Sequence, residues 1–224
     1  MKRYGKIAID FAMTVLLLLL MAYELIGAAA HEWLGIAMFV LVILHHVLNR
    51  KWSRNAFRGN YTPTRVLQTV LVVLVLCTML GSMISGIVIS RHALAFLPIS
   101  GGAGWARTVH LLCAYWGFVL MDLHMGLHWG VMMGVIGKRR NTSPLRTWFC
   151  RAAGLAVAGY GAYAFIKRGL PGYMFLQNQF VFFDFSEPVA LFLLDYFAIM
   201  GLFIWIGHYL SQLVKKARQP GKPA

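Results

Sequence analysis

The sequence predicts an all-α integral membrane protein, a bundle of six transmembrane helices with both termini cytoplasmic. Three observations carry that prediction. Of 224 residues 59% are hydrophobic and only 12% are charged, at a mean hydropathy of +0.67; soluble domains carry about 25% charged residues. Apolar runs near 20 residues recur along the chain, the length that crosses a bilayer as a helix. Lysines and arginines gather in alternate connecting segments, the pattern that sets membrane orientation.

The six spans follow in order. The first, 7–27, lies between MKRYGK and GAAAH, a frame that resembles a secretory signal. Its apolar stretch is long for a signal, and Asp10 and Glu24 interrupt it, so a retained helix is expected. The second, 31–49, and the fourth, 105–136, carry most of the histidines. The third, 66–90, contains GSMISG, which sets Gly81 with Ser85 and Ser82 with Gly86 at i,i+4, a pattern for close helix packing. The fifth is 148–166 and the sixth 189–213, with His208 near its inner end as a hydrogen-bonding residue or a quinone contact. One domain over 1–224 is expected.

Orientation comes from the basic residues. With the N-terminus inside, 17 of the 21 lysines and arginines fall in inner segments (2–6, 50–65, 138–151 and 215–222), leaving Arg91, Arg107, Lys167 and Arg168 outside. Two outer loops join spans three to four and five to six. The second, KRGLPGYMFLQNQFVFFDFSEP, is aromatic, as for an interfacial belt or a docking surface for an extracytoplasmic partner. The tail KKARQPGKPA forms a basic cytoplasmic end.

Net charge is +14, which in a soluble protein would suggest nucleic acid. Here the positive-inside distribution accounts for it, no nucleic-acid motif is present, and no nucleic-acid partner is expected. Cys77, Cys113 and Cys150 lie in or beside apolar segments as small buried hydrophobes. No CxxCH occurs, which argues against covalently attached haem, and no CxxC suggests zinc or an iron–sulfur cluster.

The chemistry lies in the histidines. His31 and His45 are 14 residues apart in HEWLGIAMFVLVILHHVLNRKW, and His110 and His124 are 14 apart in ARTVHLLCAYWGFVLMDLHMGLHWG. On a helix that is nearly four turns, about 21 Å, with a lag of about 40°. The two helices run parallel, so the depths match: His31 with His110 at the outer face, His45 with His124 toward the cytoplasm. Two haems stacked across the membrane need such pairs of neutral imidazoles. His128 is in phase with His110 but about 6 Å deeper than His124, and substitutes for it; His46, about 60° past His31, is the weaker substitute for His45. Met121 and Met125, beside His124, are read as packing.

Other residues fit a flat macrocycle. Gly35 lies one turn from His31 and Gly117 two turns from His110, where a missing side chain admits a ring close to the backbone. Arg107, one turn outside His110, can pair with a propionate; Arg91 and His92 lie at the same surface, and Arg50 and Arg54 at the inner one. Asp122 either pairs with a basic group or carries a proton to a quinone.

HEWLG with HHVLNRKW, then SGIVISRH, RTVHLLCAYWGFVLMDLHMGLHWG and FVFFDF, resemble the flavinylation-associated cytochromes, small bacterial b-type membrane proteins distantly similar to ferric reductases. The resemblance spans about residues 30–210. It implies two haem b groups and electron transfer between the membrane quinone pool and an extracytoplasmic flavoprotein. It places the motif on His31, His45 or His46, His110, His124 and His128, without deciding between the last two. The chain holds no flavin-attachment domain, so the flavoprotein would be a separate partner. The expected protein is an electron-transfer chain in the bacterial cytoplasmic membrane. The alternative is a histidine-based transporter or metal carrier, against which stand the lack of an inverted repeat and the scarcity of acidic residues.

Overall fold

A computed structural model describes residues 3–56, 58, 60–136 and 143–217, without the side chains of 3, 4, 135 and 136. Lys2, Lys138, Arg139, Arg140, Arg218 and Lys222 of the orientation pattern, and the end of the basic tail, lie outside the described residues. Those residues form α-helices and no strand: α1 (Arg3–Met21), α2 (Tyr23–Ile26), α3 (Ala28–Leu48), α4 (Arg50–Asn55), α5 (Pro63–Ile89), α6 (Ala103–Ile136), α7 (Pro144–Lys167), α8 (Leu170–Met174) and α9 (Val189–Ala217).

Among the described residues five helices are long and apolar enough to cross a membrane: α3, α5, α6 as far as Gly134, α7 and α9. The helix α1, which carries the leucine run of the first predicted span, is not among the five. Only 11% of the most apolar stretch of α5 is buried inside the protein, at a mean hydropathy of 2.5. Val66, Val70, Val73, Leu74 and Leu80 of that helix are exposed. So much outward apolar surface is stable against hydrocarbon and not against water. The chain is therefore a multi-pass membrane protein.

Local chemistry sets the helix ends. Pro63 and Pro144 open α5 and α7, where a missing N–H costs nothing. The Ser143 hydroxyl accepts the Arg146 N–H at 3.3 Å as the cap of α7. Gly27, between α2 and α3, has φ +87°, and Gly101 and Gly102, just before α6, have φ +87° and +75°. Side chains resist that left-handed region, so glycine lets the chain turn there.

The chain forms two compact units, which contain different stretches of α5, α6, α8 and α9. The first comprises Met1–Asn60, Thr78–Tyr115 and Gly172–Leu194. In it α1 packs on α3. The GSMISG stretch lies close on α6: a Cβ on Gly81 would sit 2.5 Å from the Cys113 sulfur. Tyr115 and Tyr173 stack with centroids 4.7 Å apart.

The second unit comprises Tyr61–Cys77, Trp116–Pro171 and Asp195–Ala224. Leu71 buries itself with Leu120 and Leu127, and Leu67, Val75, Trp116 and Leu123 surround them. Against α9 the helices approach backbone to backbone. A side chain on Gly126 would strike the Ile204 carbonyl and the Gly207 Cα; one on Gly161 would strike the Ala198 carbonyl. Small residues at such crossings let membrane helices gain dispersion contacts that lipid cannot supply.

Candidate functional site

Gly27 starts α3 so that His31 falls in its first turns, and His110 lies two turns into α6. The structure brings these two rings together, with centroids 6.0 Å apart and planes at 71°. One iron held by two imidazoles requires nearly this spacing. Two metal–nitrogen bonds of about 2 Å and about 1 Å from each nitrogen to its ring centre add to about 6 Å.

The ring nitrogens are unequally held. Nδ1–H of His110 donates to the Ser82 carbonyl at 3.0 Å, and the Ser85 hydroxyl lies 3.2 Å from the same nitrogen. That bond fixes the tautomer and leaves Nε2 with a lone pair. Ser85, itself fully buried, donates to the carbonyls of Gly81 and Ser82. A Cβ on Gly86 would lie 3.4 Å from Cε1 of His110, so glycine makes room for the ring. The edge of Tyr23 meets His31 at 5.0 Å. Nδ1 of His31 is buried without a hydrogen-bond partner among the described residues. A Cβ on Gly35, one turn along α3, would meet nothing within 4 Å, so that side of the helix is open. Arg91 and Arg107 lie within electrostatic reach of Tyr23. Spacing, an anchored tautomer, an open glycine face and two cations fit a haem with propionates.

Glu32, next to His31, has a role that its place in HEWLG did not reveal. Its carboxylate accepts the Ser90 hydroxyl at 2.7 Å and the backbone N–H groups of Arg91, His92 and Ala93 at 2.9, 2.9 and 2.8 Å. One side chain thus ties the start of α3 to the end of α5, the helix whose Ser82 holds His110.

Toward the other end of α3, Nδ1–H of His45 donates to Oδ1 of Asp10 at 2.8 Å. The His46 ring stands beside it at 5.7 Å, nearly perpendicular. Asn49 closes α3: its Nδ2 donates to the His45 carbonyl at 3.0 Å and lies 3.4 Å from Nε2 of His45, while Lys6 donates to its Oδ1 at 3.0 Å. Asp10 stood out in the sequence only as an interruption of an apolar run.

His124 and His128 belong to the second unit, with rings 4.8 Å apart. There the leucine face of α6 runs through Trp116, Leu120, Leu123 and Leu127. The α9 face runs through Phe118, which meets Tyr196, and Gly126, which meets Gly207. At 100° per residue His124 and His128 fall on neither face. Asp122 falls between Phe118 and Gly126. It is fully buried, and neither carboxylate oxygen has a hydrogen-bond partner among the described residues. Gly117 is buried as well. His208 pairs with Gln212 at 2.6 Å, the hydrogen-bonding arrangement expected of it.

A second carboxylate, Asp195, was silent in the sequence. It is 2% exposed and accepts from the Tyr160 hydroxyl at 2.5 Å, Lys167 at 3.0 Å and Arg168 at 2.7 and 2.8 Å. The ion pairs fasten the end of α7 to α9. KRG at the close of span five, 28 residues before an isolated aspartate, was the available signal.

Among the described residues no three histidine, cysteine or acidic side chains converge as a metal site. A bis-histidine iron asks for only two, because the porphyrin supplies the other four nitrogens. In comparisons with protein-family models, curated proteins and solved structures, nothing matches this chain.

Proposed function

We propose that the chain is a b-type di-haem cytochrome with six spans and both termini cytoplasmic, carrying electrons across a bacterial cytoplasmic membrane. His31 and His110 would hold the outer haem. His45, or His46, with His124, or His128, would hold the inner one. When bound, each haem supplies reversible one-electron chemistry at iron.

The chain's own residues do the rest. Ser82 and Ser85 orient His110, Glu32 braces the segment that carries His31, and Gly35 and Gly86 leave room for flat rings. Arg91 and Arg107 supply positive charge for propionates at the outer surface. Lipid-facing helices keep water away and lower the local dielectric, which tunes potential. The donor would be a quinol or a cytoplasmic-side reductant, and the acceptor a separate extracytoplasmic flavoprotein reached through the outer loops. The resemblance to flavinylation-associated cytochromes supports those partners.

The observation that carries this reading is the His31–His110 pair, 6.0 Å between ring centres with one Nδ1 tied to a backbone carbonyl. A reduced-minus-oxidised spectrum of the purified protein tests it. A b-type α-band is expected in the wild type, falling by about half in His110→Ala at equal expression. No haem band after expression with ample haem would remove the cytochrome reading and favour a histidine-based transporter.

A further inference from the structure

We infer that Asp10 is a positioning residue for His45, and that its carboxylate makes the His45 site the lower in potential of the two haem sites. This rests on the cytochrome reading above. An ionised carboxylate only accepts hydrogen bonds, so the 2.8 Å contact between Asp10 Oδ1 and His45 Nδ1 places the imidazole proton on Nδ1. The lone pair is then on Nε2. The nearest competitor there is Nδ2 of Asn49 at 3.4 Å, too long for a good hydrogen bond. Asn49 is also engaged elsewhere, by Lys6 on its Oδ1 and by the His45 carbonyl on its Nδ2. The structure therefore singles out His45, and not His46, as the ring prepared for a metal.

The two candidate ligands differ in what holds Nδ1. For His110 it is the neutral carbonyl of Ser82; for His45 it is an acid. A carboxylate draws the Nδ1 proton more strongly and makes Nε2 the more basic donor. A more basic axial ligand favours the more highly charged, oxidised iron and lowers the potential. The placement also accounts for an aspartate inside an apolar helix, since its partner lies 35 residues away on α3.

Redox titration of the purified full-length protein, followed by haem absorbance, tests the inference in wild type, Asp10→Asn, Asp10→Glu, His45→Ala and His46→Ala. The wild type is expected to titrate as two components. Asp10→Asn should raise the lower midpoint and leave the upper one in place, and Asp10→Glu should return it toward the wild-type value. His45→Ala should lose the lower-potential haem, and His46→Ala should keep both. If Asp10→Asn instead sheds that haem, Asp10→Glu must restore it. Unchanged midpoints in Asp10→Asn, no restoration by Asp10→Glu, or haem loss in His46→Ala but not in His45→Ala would overturn the inference while the cytochrome reading stands. A wild type without haem would remove that reading itself, and the inference with it.

Discussion

His110 illustrates how much of this protein's chemistry lies in the partners of a ring and how little in the ring alone. Its plane is set by the Ser82 carbonyl, its surroundings by Ser85, and the room beside it by Gly86. Glu32 plays the corresponding part next to His31, through one hydroxyl and three backbone N–H donors. Glu32→Ala should therefore loosen the junction of α3 and the end of α5, costing about 1–2 kcal/mol because the freed N–H groups of exposed Arg91 and His92 can reach water. Thermal unfolding in detergent checks this: Glu32→Ala should melt earlier than wild type, with Glu32→Gln between them. The histidines themselves were legible in the sequence, because the 14-residue spacing repeats and ionisable groups in apolar spans stand out. Their partners were not. Asp10 meets His45 across 35 residues and Ser82 meets His110 across 28, and periodicity within one helix says nothing about contacts between two.

At the scale of the element, hydropathy located α3, α5, α6, α7 and α9 because lipid selects for long uninterrupted apolar runs. It placed the break at Gly27, whose φ of +87° separates α2 from α3, but did not foresee the one at buried Ala22, between α1 and α2. GSMISG was read for close packing, and Gly81 does lie against Cys113 of α6; the same stretch also supplies Ser82 and Ser85 to His110. The closest approaches, at Gly126, Gly161 and Gly207, carried no motif that set them apart from the other glycines of their helices. Two glycines of α7 separate the effects. Gly161→Ala drives a methyl into the Ala198 carbonyl and the Leu202 Cβ and should destabilise by about 1–3 kcal/mol. Gly159→Ala meets nothing within 4 Å and should be neutral or gain up to about 1 kcal/mol from helix propensity. Comparing the two melting temperatures tests the crossing: equal shifts would mean that α7 and α9 do not meet backbone to backbone at Gly161.

The whole molecule joins a lipid-facing surface to an interior that spends its few polar groups on histidines and buried acids. Seven acidic residues among 224 leave little to spare. In the structure Asp10 holds a histidine, Glu32 braces a helix junction, Asp195 binds a lysine, an arginine and a tyrosine, and Asp122 sits buried without a partner among the described residues. On the proposed reading, the His31–His110 pair is one of two haem sites on a path for electrons through the membrane. The most direct test of this claim is a pyridine haemochrome assay set against protein concentration for the purified full-length chain. The account predicts about two b haems per chain, one lost in His31→Ala or His110→Ala and the other in His45→Ala. A chain that takes up no haem when haem is abundant, yet remains folded, would contradict it.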